Sequence, residues 1–131
     1  MCQRIDSGDK RAEIAPRLRH AIYLRDRHTC LYCGRTVELS GMFAASLEHL
    51  TCWSKNGADD AANLFVCCAS CNSSRNDADL RSWCREIGHD YSEVRKEIRR
   101  RRARKINLRK GSIEHKRVKA LRKAARLAKA S

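Results

Sequence analysis

Two pairs of cysteines, each separated by two residues, are the most chemically distinctive feature of the sequence. Cys30 and Cys33 form the first pair, and Cys68 and Cys71 form the second. Two thiolates at this spacing lie on one tight turn and can hold the same zinc ion, and two such turns complete a tetrahedral site. Gly34 favours the first turn, because glycine adopts positive φ without strain. The pattern predicts a structural Zn²⁺ site.

The remaining four cysteines are Cys2, Cys52, Cys67 and Cys84. Cys67 competes with Cys68 as a ligand, but only Cys68 repeats the spacing of the first pair. We interpret the remaining four as small apolar fillers or free thiols. The N-terminal residues contain no apolar signal-peptide core, so we expect a reducing cytoplasmic compartment, where structural disulfides are rare. A thiol oxidoreductase is a distant alternative, since a single C-x-x-C pair is also a redox motif.

Polar residues suited to acid–base and metal chemistry lie between and after the cysteine pairs. Glu48 and His49 are adjacent, and Asn63 stands five residues before Cys68. Asn72 directly follows the second pair, and the basic Arg75 comes shortly after it.

Two short strands must position the first of these groups. Residues 44–50 and 63–67 are typical of strands, and residues 51–62 form a polar loop between them. Because side chains alternate along a strand, Glu48 and His49 are expected on opposite faces.

Helices are expected on both sides of this hairpin. An apolar stripe predicts one helix over residues 13–26, leading into the first cysteine pair. A second helix is predicted over residues 72–87, with Leu80, Trp83 and Ile87 inside. The expected fold is therefore a small zinc-stabilised α+β domain with an N-terminal helix.

The order of these features resembles the HNH endonucleases, in the branch with two zinc-binding C-x-x-C pairs. The resemblance covers about residues 15–85. It rests on the four paired cysteines together with Glu48, His49, Asn63, Asn72 and Arg75. It implies a ββα-metal fold, like that of small nucleases carried by phages and mobile elements.

The resemblance also implies a role for each residue. Glu48 and Asn72 would hold a divalent metal, His49 would be the general base that activates water, and Asn63 would tie the loop and orient the histidine. Histidine titrates near neutral pH, as a base for phosphodiester hydrolysis must. Carboxylate and amide oxygens are hard ligands that suit Mg²⁺ or Mn²⁺. Glu48 departs from the family, in which Asp or His is commoner at this position.

Each of these residues also has a simpler structural interpretation. Taken alone, His49 is compatible with a half-buried strand histidine, and Asn63 with a residue that closes a turn. Asn72 is compatible with a helix N-cap. Arg75 is either a phosphate contact or a solvated surface residue.

Positive charge is concentrated at the C-terminal end of the chain. The 29 Lys and Arg residues exceed the 15 Asp and Glu residues, which gives a formal net charge of +14. Residues 1–91 hold 12 basic and 12 acidic residues, whereas residues 92–131 hold 17 and 3, so the whole excess lies in the last 40 residues. This distribution favours a polyanionic partner.

All but one of the predicted nucleic-acid contacts lie in the densest basic run, and Arg75 is the exception. The predicted contacts are Arg75, Arg99, Arg100, Arg101, Arg102, Arg104 and Lys105. A solvated, partly disordered tail is the alternative. A membrane partner is not expected, since no apolar run approaches the roughly 20 residues that a bilayer needs.

The chain is expected to divide into two parts. Residues 13–88 would form the HNH domain, and residues 90–131 a basic helical tail that extends the DNA-binding surface. Asp90 is expected to cap the first tail helix. Gly111 and Ser112 are expected to break that helix before a second one over residues 113–130.

We therefore predict a metal-dependent endonuclease that nicks or cuts double-stranded DNA. It would act in a phage or bacterial host, alone, as a homodimer or within a larger phage DNA-processing complex. Two alternatives are a non-catalytic zinc-dependent nucleic-acid-binding module and a basic assembly protein. The adjacent Glu48 and His49, with Asn63 and Asn72, favour the enzyme, because a pure binding protein does not need them.

Overall fold

The computed structural model describes residues 13–52 and 55–130. Two antiparallel strands, β1 (Ala45–His49) and β2 (Leu64–Cys68), form a hairpin in which Glu48 pairs with Phe65 and His49 with Leu64. Helix α2 (Ala69–Arg75) follows β2 without a loop and packs on both strands. The result is a ββα unit, and the predicted strands are confirmed to within one residue at each end.

Four further helices surround this unit. They are α1 (Pro16–Arg25), α3 (Leu80–Ile87), α4 (Tyr91–Ala103) and α5 (Leu108–Ala130). The fold is a small α+β structure, as predicted, and α1 leads into the first cysteine pair with Pro16 at its start. No helix in the described ranges is both long and apolar enough to cross a membrane.

The single helix predicted over residues 72–87 is wrong, because the chain turns between α2 and α3. Asn76 ends α2 with a left-handed φ of 49°. The Asp79 carboxylate then accepts a hydrogen bond from the Ser82 N–H at 3.0 Å and so caps the start of α3. Trp83 is buried as expected, but Ile87 is 40% exposed and lies outside the core.

Strand β2 separates two apolar clusters and is buried along its whole length. One cluster includes Phe65 and Cys67 of β2, Trp83 of α3, and Val94 and Ile98 of α4. The other includes Leu64 and Val66 of β2, Leu47 of β1 and Ile22 of α1. Because α4 supplies residues to the first cluster and α5 packs along α1, the basic C-terminal segment is part of the packed structure.

Helix α4 begins as predicted, but the break after it lies elsewhere, and α5 begins at Leu108 and not at residue 113. The Asp90 carboxylate accepts a hydrogen bond from the Ser92 N–H at 2.9 Å and caps α4. The break between α4 and α5 lies at residues 104–107, whereas Gly111 lies within α5. A Cβ atom at Gly111 would lie 2.1 Å from the carbonyl oxygen of Arg17 and 2.8 Å from the backbone nitrogen of Ala21. This glycine therefore allows close helix packing and does not end a helix.

Arg101 lies inside the structure and is 2% exposed. Its guanidinium group contacts the Asp26 carboxylate at 3.3 Å and donates to the carbonyl oxygen of Thr29 at 2.9 Å. Asp26 also accepts a hydrogen bond from the Val66 N–H at 2.9 Å. These contacts correct the expectation that Arg101 contacts nucleic acid, because its side chain joins α4 to β2 and to the end of α1.

We expect Gly111→Ala to destabilise the protein, although alanine is the better helix former. The new methyl group would push α5 away from α1, at a cost of about 1–3 kcal/mol in the free energy of unfolding. Ile113→Ala is the matched control, because Ile113 lies on the same helix and is 61% exposed. Urea unfolding of both variants checks this, and equal stabilities would contradict the close packing at Gly111.

Candidate functional site

The two cysteine pairs meet beside the hairpin. The sulfur atoms of Cys30, Cys33, Cys68 and Cys71 all lie within 4.8 Å of one another. The Sγ atoms of Cys33 and Cys68 are 3.9 Å apart, close to the separation of about 3.8 Å that tetrahedral zinc–thiolate geometry requires. The four thiols are therefore positioned to bind a metal ion such as zinc. The preference for Cys68 over Cys67 is confirmed by this grouping.

The local backbone explains why the two pairs can face each other. Gly34 has a φ of 74°, and its N–H donates to the carbonyl oxygen of Cys30 at 3.1 Å, which closes the first turn. Cys68 is the N-cap of α2, and its sulfur accepts a hydrogen bond from the Cys71 N–H at 3.5 Å. A bound metal would thus link the loop after α1 to the junction of β2 and α2.

Burial opposes ionisation of part of this cluster. It raises the pKa of the Cys68 thiol to about 12 and also raises the pKa of Cys33. The neighbouring Cys67 acts in the opposite direction on Cys30. The two sulfur atoms are 3.9 Å apart, and the hydrogen bond with Cys67 lowers the pKa of Cys30 to about 4. A cation is the group that allows four thiolates to coexist, because metal coordination deprotonates thiols outright.

The cysteines outside this cluster differ in their bonding. Cys67 and Cys84 are buried free thiols, as predicted. Cys52 is disulfide-bonded, so the expectation that it is a free thiol or an unlinked filler is wrong. Cys2 lies outside the described residues.

Glu48 lies on the face of β1 that α2 covers, and it is 0% exposed. Its Oε1 atom accepts a hydrogen bond from Arg75 at 3.2 Å, whereas Oε2 has no hydrogen-bond partner among the described residues. Burial raises the pKa of Glu48 to about 7, although the charge of Arg75 opposes this shift. The buried Tyr32 hydroxyl neighbours Glu48: burial together with the Glu48 charge raises the pKa of Tyr32, and the interaction with Tyr32 opposes the rise in the pKa of Glu48. The lone oxygen Oε2 is an atom that either a proton or a metal ion can satisfy.

Arg75 holds the end of the hairpin and is largely buried. It is 5% exposed. Besides Glu48, its guanidinium group donates to the carbonyl oxygens of His49 at 3.0 Å and Leu50 at 3.1 Å, and to that of Ala78 at 2.8 Å. These bonds occupy four of the five guanidinium N–H groups. They correct the expectation of a solvated residue and leave at most one N–H group for a phosphate.

His49 faces away from Glu48, as the alternation of the strand predicts. Its Nε2 atom is 2.7 Å from Oδ1 of Asp59, in the loop between the strands. The His49 side chain is 19% exposed and that of Asp59 is 29% exposed, so solvent reaches both. A carboxylate at Nε2 favours the tautomer that donates from this nitrogen, which leaves Nδ1 as the basic atom.

Asp59 was not predicted from the sequence as a site residue. The signal that pointed to it is the pair of adjacent acidic residues, Asp59 and Asp60, in a loop that must return past His49. Asp60 has a different role, because its carboxylate accepts a hydrogen bond from the Ala62 N–H at 3.0 Å.

The two asparagines occupy different positions around the hairpin. Asn63 ties the loop: its Oδ1 atom accepts from the Thr51 N–H at 2.7 Å, and its Nδ2 atom donates to the carbonyl oxygen of Ala58 at 2.9 Å. Asn72 is buried on α2, where its Nδ2 atom donates to Ser46 Oγ at 2.9 Å. Asn72 does not cap α2, since the cap is Cys68. Asn72 and Glu48 thus approach the same face of β1, whereas His49 and Asp59 lie on the other.

The predicted basic contacts on α4 and beyond are unequal in exposure. Arg99, Arg100, Arg102 and Lys105 are exposed, and Arg104 is half-buried. Arg102 nevertheless donates to the carbonyl oxygen of Ala62 at 2.8 Å, and Arg104 donates to that of Arg25 at 3.0 Å. The run therefore combines structural anchors with cations that face solvent.

We expect Cys68→Ser to lose zinc and Cys67→Ala to retain it. The two cysteines are adjacent and both are buried, but only Cys68 belongs to the group with metal-ligand spacing. Zinc content of the purified proteins, measured by mass spectrometry of the metal, gives the comparison. One zinc per chain in the wild type and in Cys67→Ala, with none in Cys68→Ser, is the expected result. The reverse pattern would contradict the ligand assignment.

Burial of Glu48 predicts a pH dependence of stability. Its pKa is raised from 4.5 to about 7, so the neutral form is favoured in the fold. This contribution is present below pH 4.5 and is lost as the pH rises through 7. It amounts to about 3 kcal/mol at most. Glu48→Gln keeps a neutral side chain at every pH. The wild type should therefore lose stability relative to this variant between pH 5 and pH 8.

Urea unfolding of the zinc-loaded wild type and Glu48→Gln across this pH range makes the comparison. Effects of pH on the cysteines are shared by both proteins and cancel in the difference. A difference that stays constant with pH would show that Glu48 ionises normally.

The sequence was compared with known protein families, curated proteins and solved structures. The model of the HNH endonuclease family matches residues 30–78. A search of curated proteins and a search of solved structures gave no significant match. The matched segment includes both cysteine pairs, the β1–β2 hairpin with His49 and Asp59, and α2. The segment that is similar to the HNH endonuclease family is therefore the ββα unit with its cysteine cluster.

Proposed function

We propose that the protein is a metal-dependent endonuclease that hydrolyses phosphodiester bonds of double-stranded DNA, with His49 as the general base. The observation that carries this proposal is the 2.7 Å contact between His49 and Asp59 within the family-matched segment. A histidine held by a carboxylate and open to solvent has one nitrogen oriented and the other available to take a proton from water.

Around this base, the other residues divide the remaining tasks. Asp59 contacts His49 and acts as its positioning residue. Asn63 in turn closes the loop that carries Asp59. Glu48 and Asn72, which approach the face of β1 opposite His49, would hold Mg²⁺ or Mn²⁺ through oxygen atoms. The Oε2 atom of Glu48 has no hydrogen-bond partner among the described residues and can accept a cation. When bound, such a cation offsets charge on the phosphate and on the leaving oxygen. The proton and a metal ion compete for Glu48, because its pKa is near 7.

Double-stranded DNA is the substrate that the charge distribution favours. Exposed cations on α4 and after it supply contacts to the phosphate backbone, and they are Arg99, Arg100, Arg102 and Lys105. One ββα site cuts one strand at a time, so a double-strand break would need a second copy or a second nick. A role in phage or mobile-element DNA processing stays a prediction.

A non-catalytic zinc-dependent nucleic-acid-binding module is the second candidate. It is favoured by the full burial of Glu48 and by its ion pair with Arg75, which together keep this carboxylate away from a substrate phosphate. In that case His49 and Asp59 would only hold the loop.

We expect the zinc-loaded protein to nick supercoiled plasmid in Mg²⁺ or Mn²⁺ at low salt, and His49→Ala to nick about 10²–10⁴-fold more slowly, since this is the usual contribution of a general base. Gel analysis of plasmid conversion measures the rates. Asp59→Asn should give a smaller loss, because it keeps an acceptor for Nε2 but removes the charge.

The matched control is His89→Gln, since His89 lies outside the hairpin beside Trp83. Zinc content and DNA binding of each variant confirm that it is folded. Equal nicking by wild type and His49→Ala would reject His49 as the base. DNA binding without any metal-dependent nicking would instead favour the binding module.

A further inference from the structure

A groove between α3 and α4 is lined by arginines, and two of them, Arg81 and Arg95, have no part in the function proposed above. It consists of two adjoining cavities of about 300 and about 420 Å³. Both are lined by Tyr91, Arg95 and Arg99 of α4, and Arg81 of α3 lines the smaller one. Arg81 and Arg95 lie outside the basic run of residues 99–105, so sequence composition alone did not indicate them.

Arg75, which also lines the larger cavity, is paired with Glu48, but the exposed arginines of the groove have no such partner among the described residues. Within the described ranges, neither Arg81, Arg95 nor Arg99 has a carboxylate oxygen within ion-pair distance. The one acidic residue in the described lining is Asp79, whose carboxylate accepts hydrogen bonds from the Ser82 N–H and hydroxyl, both at 3.0 Å. Three like charges on facing helices repel one another unless an anion lies between them.

Tyr91 holds two of these arginines in place. The guanidinium carbon atoms of Arg81 and Arg95 lie 5.6 and 5.8 Å from the centre of its ring. Cation–π contacts at this distance restrict the two side chains without neutralising them. The groove therefore presents a partly ordered pair of cationic groups, one from each helix.

The larger cavity ends beside the hairpin that carries His49. Its lining includes Leu50, which follows His49, and Arg102, which donates to the carbonyl oxygen of Ala62 in the loop of Asp59. The basic groove thus continues from the α3–α4 junction to the edge of the His49 loop.

We propose that this groove binds the phosphate backbone of one DNA strand and leads it towards His49. The inference rests on the proposed nuclease function and adds to it the path of the substrate strand. An extended strand fits better than an isolated anion, because the arginines follow one another along an open groove that spans two cavities. The phosphates would be held by Arg81, Arg95 and Arg99.

Two double variants with equal charge test the proposal. Arg81→Gln with Arg95→Gln removes one groove charge from α3 and one from α4. Arg85→Gln with Lys96→Gln removes one exposed charge from each of the same helices outside the groove. Binding of the zinc-loaded full chain to a fluorescent DNA duplex is measured by anisotropy across a range of salt concentrations, without added Mg²⁺ or Mn²⁺.

The groove variant should bind the duplex about tenfold more weakly at moderate salt. The slope of log K against log salt should fall in magnitude by about 2, because the variant neutralises two phosphates fewer than the wild type. The control should stay close to the wild type. Equal losses in both variants would overturn the proposal in favour of a diffuse charged surface. A groove variant that binds the duplex as tightly as the wild type would also overturn it. So would an equal affinity of the wild type for a deoxynucleoside monophosphate and for the duplex.

Failure of this proposal and failure of the nuclease assignment are distinguishable. His49→Ala should bind the duplex like the wild type, because His49 makes no contribution to the groove. Selective loss of binding in the groove variant, without nicking by any protein, would leave the groove standing and reject the nuclease. Nicking that depends on His49, together with normal DNA binding by the groove variant, would support the nuclease and reject the groove.

Discussion

The buried carboxylate of Asp26 is the contact on which the arrangement of the helices depends. It accepts hydrogen bonds from the side chain of Arg25, the backbone of Val66 and the side chain of Arg101. Removing one member of such a group leaves the others charged and unpaired in the core, at a cost of about 3–5 kcal/mol. Asp26 thereby fixes α4 against β2, and the position of α4 sets one wall of the arginine groove.

Arginine has two separate uses in this chain. Arg25, Arg75 and Arg101 are at most 5% exposed and donate to backbone carbonyls or to buried carboxylates. The planar guanidinium group suits this task, because it presents five donors in fixed directions and stays charged. Arg81 and Arg95 are exposed, and no carboxylate of the described residues pairs with them. The net charge therefore overstates how many cations are available to a partner, and only the packing of each side chain separates the two uses.

Local chemistry decided which features were predictable from the sequence. The grouping of the two cysteine pairs and the two strands depend mainly on residues close in sequence, and both predictions were confirmed. The helix break at Asn76 was missed because residues 72–79 contain neither glycine nor proline to mark a turn. The role of Gly111 depends on α1, and that of Arg101 depends on Asp26, which is 75 residues away in the sequence. Asp59 was missed for the same reason, since only the folded loop brings it to His49.

The packing of α5 on α1 has a consequence for synthesis of the chain. The residues of α1 that contact Gly111 leave the ribosome long before α5 does, and at about 5–20 residues per second the delay is several seconds. Throughout that interval, the surface of α1 around Ala21 has no cover from α5. The nascent chain can complete its zinc-binding hairpin before α5 is made, so α1 gains this cover only after the hairpin has formed.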